Sequence, residues 1–179
     1  AQCLLDPSDE VIIPEPAYVT YEAVVQATGA VPVWVPLSAD DGFQPRVAAI
    51  EASITPRTKA ILLNSPHNPT GQCLTPAMWE SIATLCREHD LWLIVDAVYA
   101  DLIFDGEHAS PDSLPGMRER TVVISSLSKS HAMTGWRLGW VVGPRELMSH
   151  LVNLALCMLY GCQPFIQDAA IAALDEPPA

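Results

Sequence analysis

The sequence has 179 residues, with 9 Lys or Arg against 21 Asp or Glu, and a formal net charge of −12. Nucleic acids and anionic membranes bind clustered positive charge, so neither is expected to be the main partner of so acidic a chain. Half of the residues are hydrophobic and 17% are charged, which supplies enough apolar side chains for a buried core and excludes disorder as a description of the whole chain.

Short apolar runs alternate with stretches of helical period, a pattern typical of an α/β fold with a mostly parallel sheet flanked by helices. The predicted strands cover residues 10–13, 31–37, 59–64, 91–95, 120–125 and 138–142. The predicted helices cover residues 18–28, 45–53, 76–89, 145–158 and 165–174. Several strands are continuous runs of Val, Ile, Leu and Trp, which predicts that helices cover both faces of the sheet.

Local patterns mark the boundaries of these elements. Thr75 is a predicted N-cap, and Pro76 suits the first helical position because the donor that it lacks has no partner there. The runs D-D-G at 40–42 and N-P-T-G at 68–71 predict turns. No repeat or low-complexity linker divides the chain, so no inner domain boundary is indicated.

The five cysteines are an odd number, are widely scattered and contain no C-x-x-C pair. We therefore predict small core side chains of a reducing cytosol, not a disulfide framework or a zinc site. The first ten residues lack the basic and apolar regions of a signal peptide. The longest mostly apolar stretch, 151–162, is too short to span a bilayer. These features favour a cytoplasmic protein.

Four polar segments lie at or just after predicted strand ends, where open α/β sheets bind their ligands. They are N-S-P-H-N-P-T-G at 64–71, D-A-V-Y at 96–99, S-S-L-S-K at 125–129 and G-W-R at 135–137. Each has an ordinary explanation when taken alone. The first segment could simply form a turn, and Lys129 could be a solvated surface charge. Asp96 could be either a helix cap or a buried carboxylate.

Together the segments meet the separate requirements of pyridoxal phosphate, which needs an amine, an anion beside its ring nitrogen, donors to its phenolic oxygen and a phosphate cup. Lys129 can supply the amine, provided that its surroundings lower its pKa. Asp96 can keep the ring nitrogen protonated. Tyr99 and Asn68 can hydrogen-bond the phenolic oxygen.

The phosphate group has its own candidate residues. Arg137 can bind it as a bidentate fork, and Ser126 can add a hydroxyl. Ser128 is a weaker candidate because a local hydrogen bond to the backbone explains it equally well. His67 and His131 are interpreted as loop residues, since Lys129 already fills the acid–base role.

The segment S-L-S-K-S-H-A-M-T-G-W-R-L-G closely resembles the lysine region of class I/II aminotransferases, which are fold-type I pyridoxal-phosphate enzymes. H-N-P-T-G after a strand and D-A-V-Y before the lysine resemble the same family, in the same order along essentially the whole chain. The stretch D-E-V-I-I-P-E-P-A-Y-V-T-Y is similar to the family segment that leads to an aromatic residue lying on the cofactor ring, which would be Tyr18.

The resemblance implies that Lys129 carries the Schiff base with pyridoxal 5′-phosphate and then moves a proton between the substrate Cα and the cofactor's C4′ atom. It implies that Asp96 pairs with the pyridinium and that Asn68 also faces the substrate carboxylate. It further implies an enzyme that forms a homodimer with active sites near the interface. No metal site is expected.

The same resemblance implies an aspartate aminotransferase-like large domain that is incomplete at both ends. Residues 1–179 would be a partial cofactor-binding domain without the N-terminal arm, the first strand and the C-terminal small domain. In the family, the strand at 139–142 is antiparallel and pairs with that first strand. Its loss would expose an apolar edge, so we expect the 179-residue chain alone to be poorly soluble or inactive.

The expected function is transfer of an amino group from an L-amino acid to a 2-oxo acid. The phrases S-K-S-H-A-M-T-G-W-R, L-C-M-L-Y-G and P-F-I-Q-D-A-A look most like those of arginine:pyruvate transaminases. Two alternatives stay open. The first is a C–S or β-lyase, which the same residues suit. The second is a pyridoxal-phosphate-sensing domain of a transcription regulator, a class of protein that carries an additional basic DNA-binding segment.

Overall fold

The computed structural model describes residues 1–105 and 108–175. The strands are β1 (Glu10–Glu15), β2 (Val31–Pro36), β3 (Thr58–Asn64), β4 (Trp92–Asp96), β5 (Thr121–Ser126) and β6 (Gly139–Val142). The helices are α1 (Tyr21–Gln26), α2 (Val47–Ala52), α3 (Pro76–Glu88), α4 (Leu127–Ser130), α5 (Arg145–Leu159) and α6 (Pro164–Leu174). Every predicted strand and helix is confirmed with ends shifted by a few residues. The short helix α4 was not predicted.

The six strands form one sheet in the order β2-β1-β3-β4-β5-β6. All neighbours are parallel except β5 and β6, which pair antiparallel from Val123 opposite Val142 to Ser126 opposite Gly139. The predicted α/β fold with a mostly parallel sheet is confirmed. The chain runs from β1 outward to β2 and returns to β3 on the other side of β1. Open sheets form a ligand crevice at the carboxyl ends of the strands where the order reverses in this way.

The core covers both faces of the central strands because successive side chains of a strand point to opposite faces. On one face Ile12 and Leu63 pack in a cluster with Trp79 of α3. On the other face Val11 packs in a second cluster with Tyr21 of α1. The continuous apolar runs of β1, β3 and β4 therefore have the two-sided cover that the sequence predicted.

Helix α3 begins as its sequence predicts. The Thr75 hydroxyl accepts a hydrogen bond from the Met78 backbone N–H at 3.1 Å, and Pro76 occupies the first turn. Helix α1 differs from the prediction because Tyr18 lies before it. The chain first turns there, with the Tyr21 N–H donating to the Tyr18 carbonyl at 3.1 Å.

The last part of the described chain is much more exposed than the centre. All four residues of β6 are exposed, and Leu147 and Ala170 are the buried residues of α5 and α6. The prediction that the cysteines are core side chains is therefore wrong for Cys157 and Cys162, which are exposed in this region. It holds for Cys86, a residue of α3 that is buried in the core. Among residues 1–105 and 108–175, no helix is both long and apolar enough to cross a membrane.

Candidate active site

Polar side chains converge at the carboxyl edge of the sheet. Strands β1, β3, β4 and β5 end at this edge, and β6 begins there because it runs antiparallel to β5. A cavity of about 370 Å³ opens at the edge, a size that ordinary small-molecule sites have. It is lined by Tyr18, Tyr21, Asn64, Asn68, Asp96, Val98, Tyr99, Ser126, Ser128, Lys129, Thr134 and Arg137. All seven residues predicted to hold or react with a cofactor are among them.

Lys129 lies on α4, directly after β5. Ser126 caps this turn, since its hydroxyl oxygen accepts a hydrogen bond from the Ser128 N–H at 3.1 Å. The Lys129 Nζ lies 5.7 Å from the centre of the Tyr99 ring, within range of a cation–π contact. The strand end and its cap therefore place the one amine of the cavity beside Tyr99.

Asp96 ends β4, and both of its carboxylate oxygens have donors. The Tyr21 hydroxyl donates to Oδ2 at 2.7 Å, and the Val98 backbone N–H donates to Oδ1 at 3.2 Å. Burial and the adjacent carboxylate raise the pKa of Tyr21, so its phenol remains a donor throughout the ordinary pH range. Asp96 is only partly buried and faces the cavity, which keeps lone pairs available for a further cationic or N–H partner.

Asn64 ties two neighbouring loops to the sheet. Its side chain is buried and donates to the Asp96 carbonyl at 2.8 Å. Its Oδ1 accepts the Asn68 backbone N–H at 2.6 Å. The Asn68 Nδ2 in turn lies 3.4 Å from the Tyr99 hydroxyl. An amide and a phenol thus meet on one wall of the cavity, where both can donate to the same oxygen.

Arg137 enters the cavity from the start of β6. Gly139 allows β6 to lie close against β5, because a Cβ at this position would lie 2.6 Å from the Ser125 carbonyl oxygen. Arg137 itself has a φ of 55°, a left-handed conformation that is uncommon for a residue other than glycine and is typical of constrained functional sites. Its Nη1 donates to the Thr134 carbonyl at 2.9 Å. The Ser126 hydroxyl donates to the Leu138 carbonyl at 3.0 Å.

The charges of the cavity differ in sign from the charge of the chain. Lys129 and Arg137 are its two cations and Asp96 is its one anion, a local balance of +1 against −12 overall. The charges of Lys129 and Asp96 cancel in this balance, so the Arg137 guanidinium leaves a net positive charge that favours an anionic ligand group. This donor set fits pyridoxal phosphate, which has an aldehyde, a ring nitrogen that takes up a proton, a phenolic oxygen and an anionic ester.

Tyr18 forms another wall. Its ring is 42% exposed and meets the Tyr21 ring edge-on, with centroids 5.7 Å apart and an interplanar angle of 74°. A ring held in this way can offer its face to a flat ligand.

The histidines interpreted as loop residues do not line this cavity. His67 bonds to the Thr70 hydroxyl at 2.7 Å and lines a separate apolar pocket, and burial lowers the pKa of its imidazole. His131 contacts the Ser130 hydroxyl at 2.8 Å. Ser128 does line the cavity, although its backbone N–H is used in the α4 cap.

Sequence reasoning missed Tyr21 and Asn64 as parts of the site. Asn64 opens the polar segment at 64–71, so its place at a strand end was visible in the sequence. Tyr21 lies three residues after Tyr18, a spacing that puts both rings near the same edge. Within the described residues, no cluster of His, Cys, Asp or Glu could hold a metal ion.

Comparisons with known proteins identify the family of the chain. The family model described as "Aminotransferase class I and II" matches residues 1–179. Arginine–pyruvate transaminase of Pseudomonas aeruginosa is 62% identical over 98% of this chain and 45% of its own length. Kynurenine–oxoglutarate transaminase 3 of mouse is 42% identical over 96% of this chain and 40% of its own length. The chain thus spans less than half the length of these relatives.

Solved structures agree as well. Aromatic aminotransferase from Pyrococcus horikoshii superposes with a TM-score of 0.95 at 41% identity, covering 98% of this chain and 47% of that one. A double mutant of Thermus thermophilus aspartate aminotransferase gives 0.93 at 38% identity, covering 97% and 45%. The chain therefore belongs to the class I and II aminotransferases, a family of pyridoxal-phosphate-dependent enzymes, which confirms the family, fold class and cofactor that the sequence predicted.

Proposed function

We propose that the complete protein is an aminotransferase that moves an amino group from an L-amino acid to a 2-oxo acid. The observation that carries this proposal is the convergence of one amine, one carboxylate, one guanidinium and a phenol–amide pair on a single cavity. Family membership supports it, since the related proteins are named as transaminases. Assignment of residues 1–179 to a partial large domain stays a prediction.

Lys129 is the proposed catalytic residue, and Asp96 is the proposed partner of the cofactor's ring nitrogen. The Lys129 amine would hold the cofactor through its aldehyde, and as a free amine it would take the proton from the substrate Cα and return it at C4′. The Asp96 carboxylate would keep the ring nitrogen protonated. When bound, the cofactor supplies a ring that accepts the electrons released as the Cα proton leaves.

Asn68 and Tyr99 are proposed to donate to the phenolic oxygen, which their 3.4 Å separation supports. Arg137 and Ser126 are proposed to hold the phosphate. The Ser126 hydroxyl now donates to the Leu138 carbonyl, so binding phosphate requires rotation of that hydroxyl. Tyr18 is proposed to lie against the ring. Its exposed face at the cavity mouth supports this role.

Arginine as donor and pyruvate as acceptor are the proposed substrates. The name of the Pseudomonas aeruginosa relative, at 62% identity, supports this choice. We further propose a cytoplasmic homodimer that binds neither nucleic acid nor membrane. The acidic net charge supports the absence of such partners, and the five free cysteines are compatible with a reducing compartment.

A donor screen on the complete protein tests the function. With pyruvate as acceptor and cofactor added, arginine should give alanine and the 2-oxo acid of arginine in equal amounts. The Lys129→Arg variant, which keeps the charge but loses the reactive amine, should lose this turnover by at least about a thousandfold. Release of pyruvate and ammonia from a cysteine conjugate without any added oxo acid would support the lyase alternative instead.

A further inference from the structure

The contact between Tyr21 and Asp96 joins parts of the chain that are 75 residues apart. Tyr21 is the first residue of α1, which follows β1, whereas Asp96 ends β4. Strand β3 lies between β1 and β4 in the sheet, so the 2.7 Å bond crosses over a neighbouring strand end. The Tyr21 ring is 8% exposed, and its hydroxyl reaches the cavity wall.

A buried tyrosine needs a partner for its hydroxyl, and a backbone carbonyl could also meet this need. In this chain the partner is the one carboxylate that lines the cavity. With the Val98 N–H on Oδ1 and Tyr21 on Oδ2, the carboxylate is held at both oxygens and has a single orientation toward the cavity.

We propose that Tyr21 is a positioning residue, which holds Asp96 in the orientation that pairs with the protonated ring nitrogen of the cofactor. This inference rests on the proposed function, because it assigns Asp96 to the ring nitrogen. A carboxylate that is already oriented loses little freedom when the cofactor binds, and preorganisation of this kind raises affinity. Because burial and Asp96 raise the pKa of Tyr21, the phenol keeps this role at any ordinary pH.

The test compares two ligands of the apo form of the complete protein. One is pyridoxamine 5′-phosphate, which binds without a covalent bond to Lys129. The other is its analogue with carbon in place of the ring nitrogen, which has nothing to offer Asp96. Equilibrium titration followed by fluorescence gives the affinity for each ligand, and their ratio reports the pairing of Asp96 with the ring nitrogen.

Tyr21→Phe keeps the buried ring and removes only the hydroxyl, and far-UV circular dichroism checks that the variant is folded. We expect it to bind pyridoxamine 5′-phosphate about tenfold more weakly, with little change for the carbon analogue, so that the ratio falls by nearly the whole tenfold. Tyr160→Phe is the matched control. Tyr160 is 92% exposed, and the ratio should stay at the wild-type value.

Asp96→Asn provides the second arm. If Tyr21 acts through the carboxylate, Tyr21→Phe should change the ratio by less than about twofold when Asp96→Asn is already present. If Tyr21→Phe lowers the affinity for both ligands equally, the inference is overturned. Tyr21 would then have only a structural role, and the proposed function would still stand. A wild-type protein that does not prefer the nitrogen-containing ligand would overturn the role of Asp96 and this inference together.

Discussion

Asn64 is expected to stabilise the site more than a polar side chain of its size usually does. Its amide donates to the Asp96 carbonyl and accepts the Asn68 N–H, and it is 6% exposed. The Asp96 carbonyl keeps a second partner, the Ser65 N–H at 3.1 Å, so Asn64→Ala leaves it satisfied. The Asn68 N–H has no other partner among the described residues, but Asn68 is half-buried and lines the open cavity, so water replaces the lost acceptor.

These contacts set the size of the effect. Loss of the bond to the Asp96 carbonyl costs about 1 kcal/mol, and loss of the bond from the half-buried Asn68 N–H costs about 0.5–1.5 kcal/mol. Asn64→Ala should therefore lower the free energy of unfolding of the apo protein by about 1.5–2.5 kcal/mol. Asn64→Asp keeps the acceptor for Asn68 but places a buried, unpaired carboxylate oxygen against the Asp96 carbonyl oxygen, so we expect a loss at least as large.

Urea unfolding of the complete apo protein, followed by tryptophan fluorescence, measures these changes as a shift of the midpoint at constant slope. Asn153→Ala is the matched control, because Asn153 is exposed on α5 and should change the unfolding free energy by less than about 0.5 kcal/mol. If Asn64→Ala is as mild as the control, the argument that Asn64 ties the two loops together is wrong.

Three further predictions follow from other parts of the chain. In equilibrium titrations, Arg137→Lys should weaken binding of pyridoxal phosphate about tenfold, because lysine lacks the bidentate fork, and should leave binding of unphosphorylated pyridoxal nearly unchanged. An equal loss of affinity for both ligands would contradict the phosphate role. Burial raises the pKa of the Cys86 thiol to about 12, so a maleimide at pH 8 should label the exposed cysteines first and Cys86 only after unfolding, as peptide mass spectrometry would record. Hydrogen bonds from Thr55 and then Arg57 lower the pKa of the Glu10 carboxyl from its ordinary 4.5. The ionised carboxylate therefore stabilises the fold fully above pH 4.5, and this stabilisation is lost as the pH falls through the lower pKa of the folded state. In urea unfolding, Glu10→Gln should destabilise the protein at pH 7 and have little effect at about pH 2, and an equal effect at both pH values would contradict the assignment.

The apolar runs and helical periods predicted the strands and helices well because both faces of the central strands are covered. Residues such as Ile12 and Val11 pack into separate clusters on opposite faces, and this leaves an uninterrupted apolar run in the sequence. The same pattern could not distinguish β6 from the buried strands, because the apolar residues of β6 are exposed and the sequence alone does not show this. Its antiparallel direction was expected only from the family resemblance.

The seven predicted site residues share one cavity because their segments follow strands that end at one edge of the sheet. What the sequence did not predict depends on contacts between distant segments. Local spacing contains nothing that pairs Tyr21 with Asp96, or Asn64 with the Asp96 carbonyl, since both bonds form only when β1, β3 and β4 are aligned. The left-handed backbone of Arg137 is likewise a result of the tight entry into β6.

The central claim is that Lys129 is the amine that binds the cofactor's aldehyde. Borohydride reduction of the complete protein with pyridoxal phosphate makes this bond permanent, and peptide mass spectrometry then identifies the modified lysine. The chain has one other lysine, Lys59, which is exposed on β3 and lines a different pocket. We expect the label on Lys129, whereas a label on Lys59, or on any lysine outside these 179 residues, with Lys129 unmodified would contradict the account.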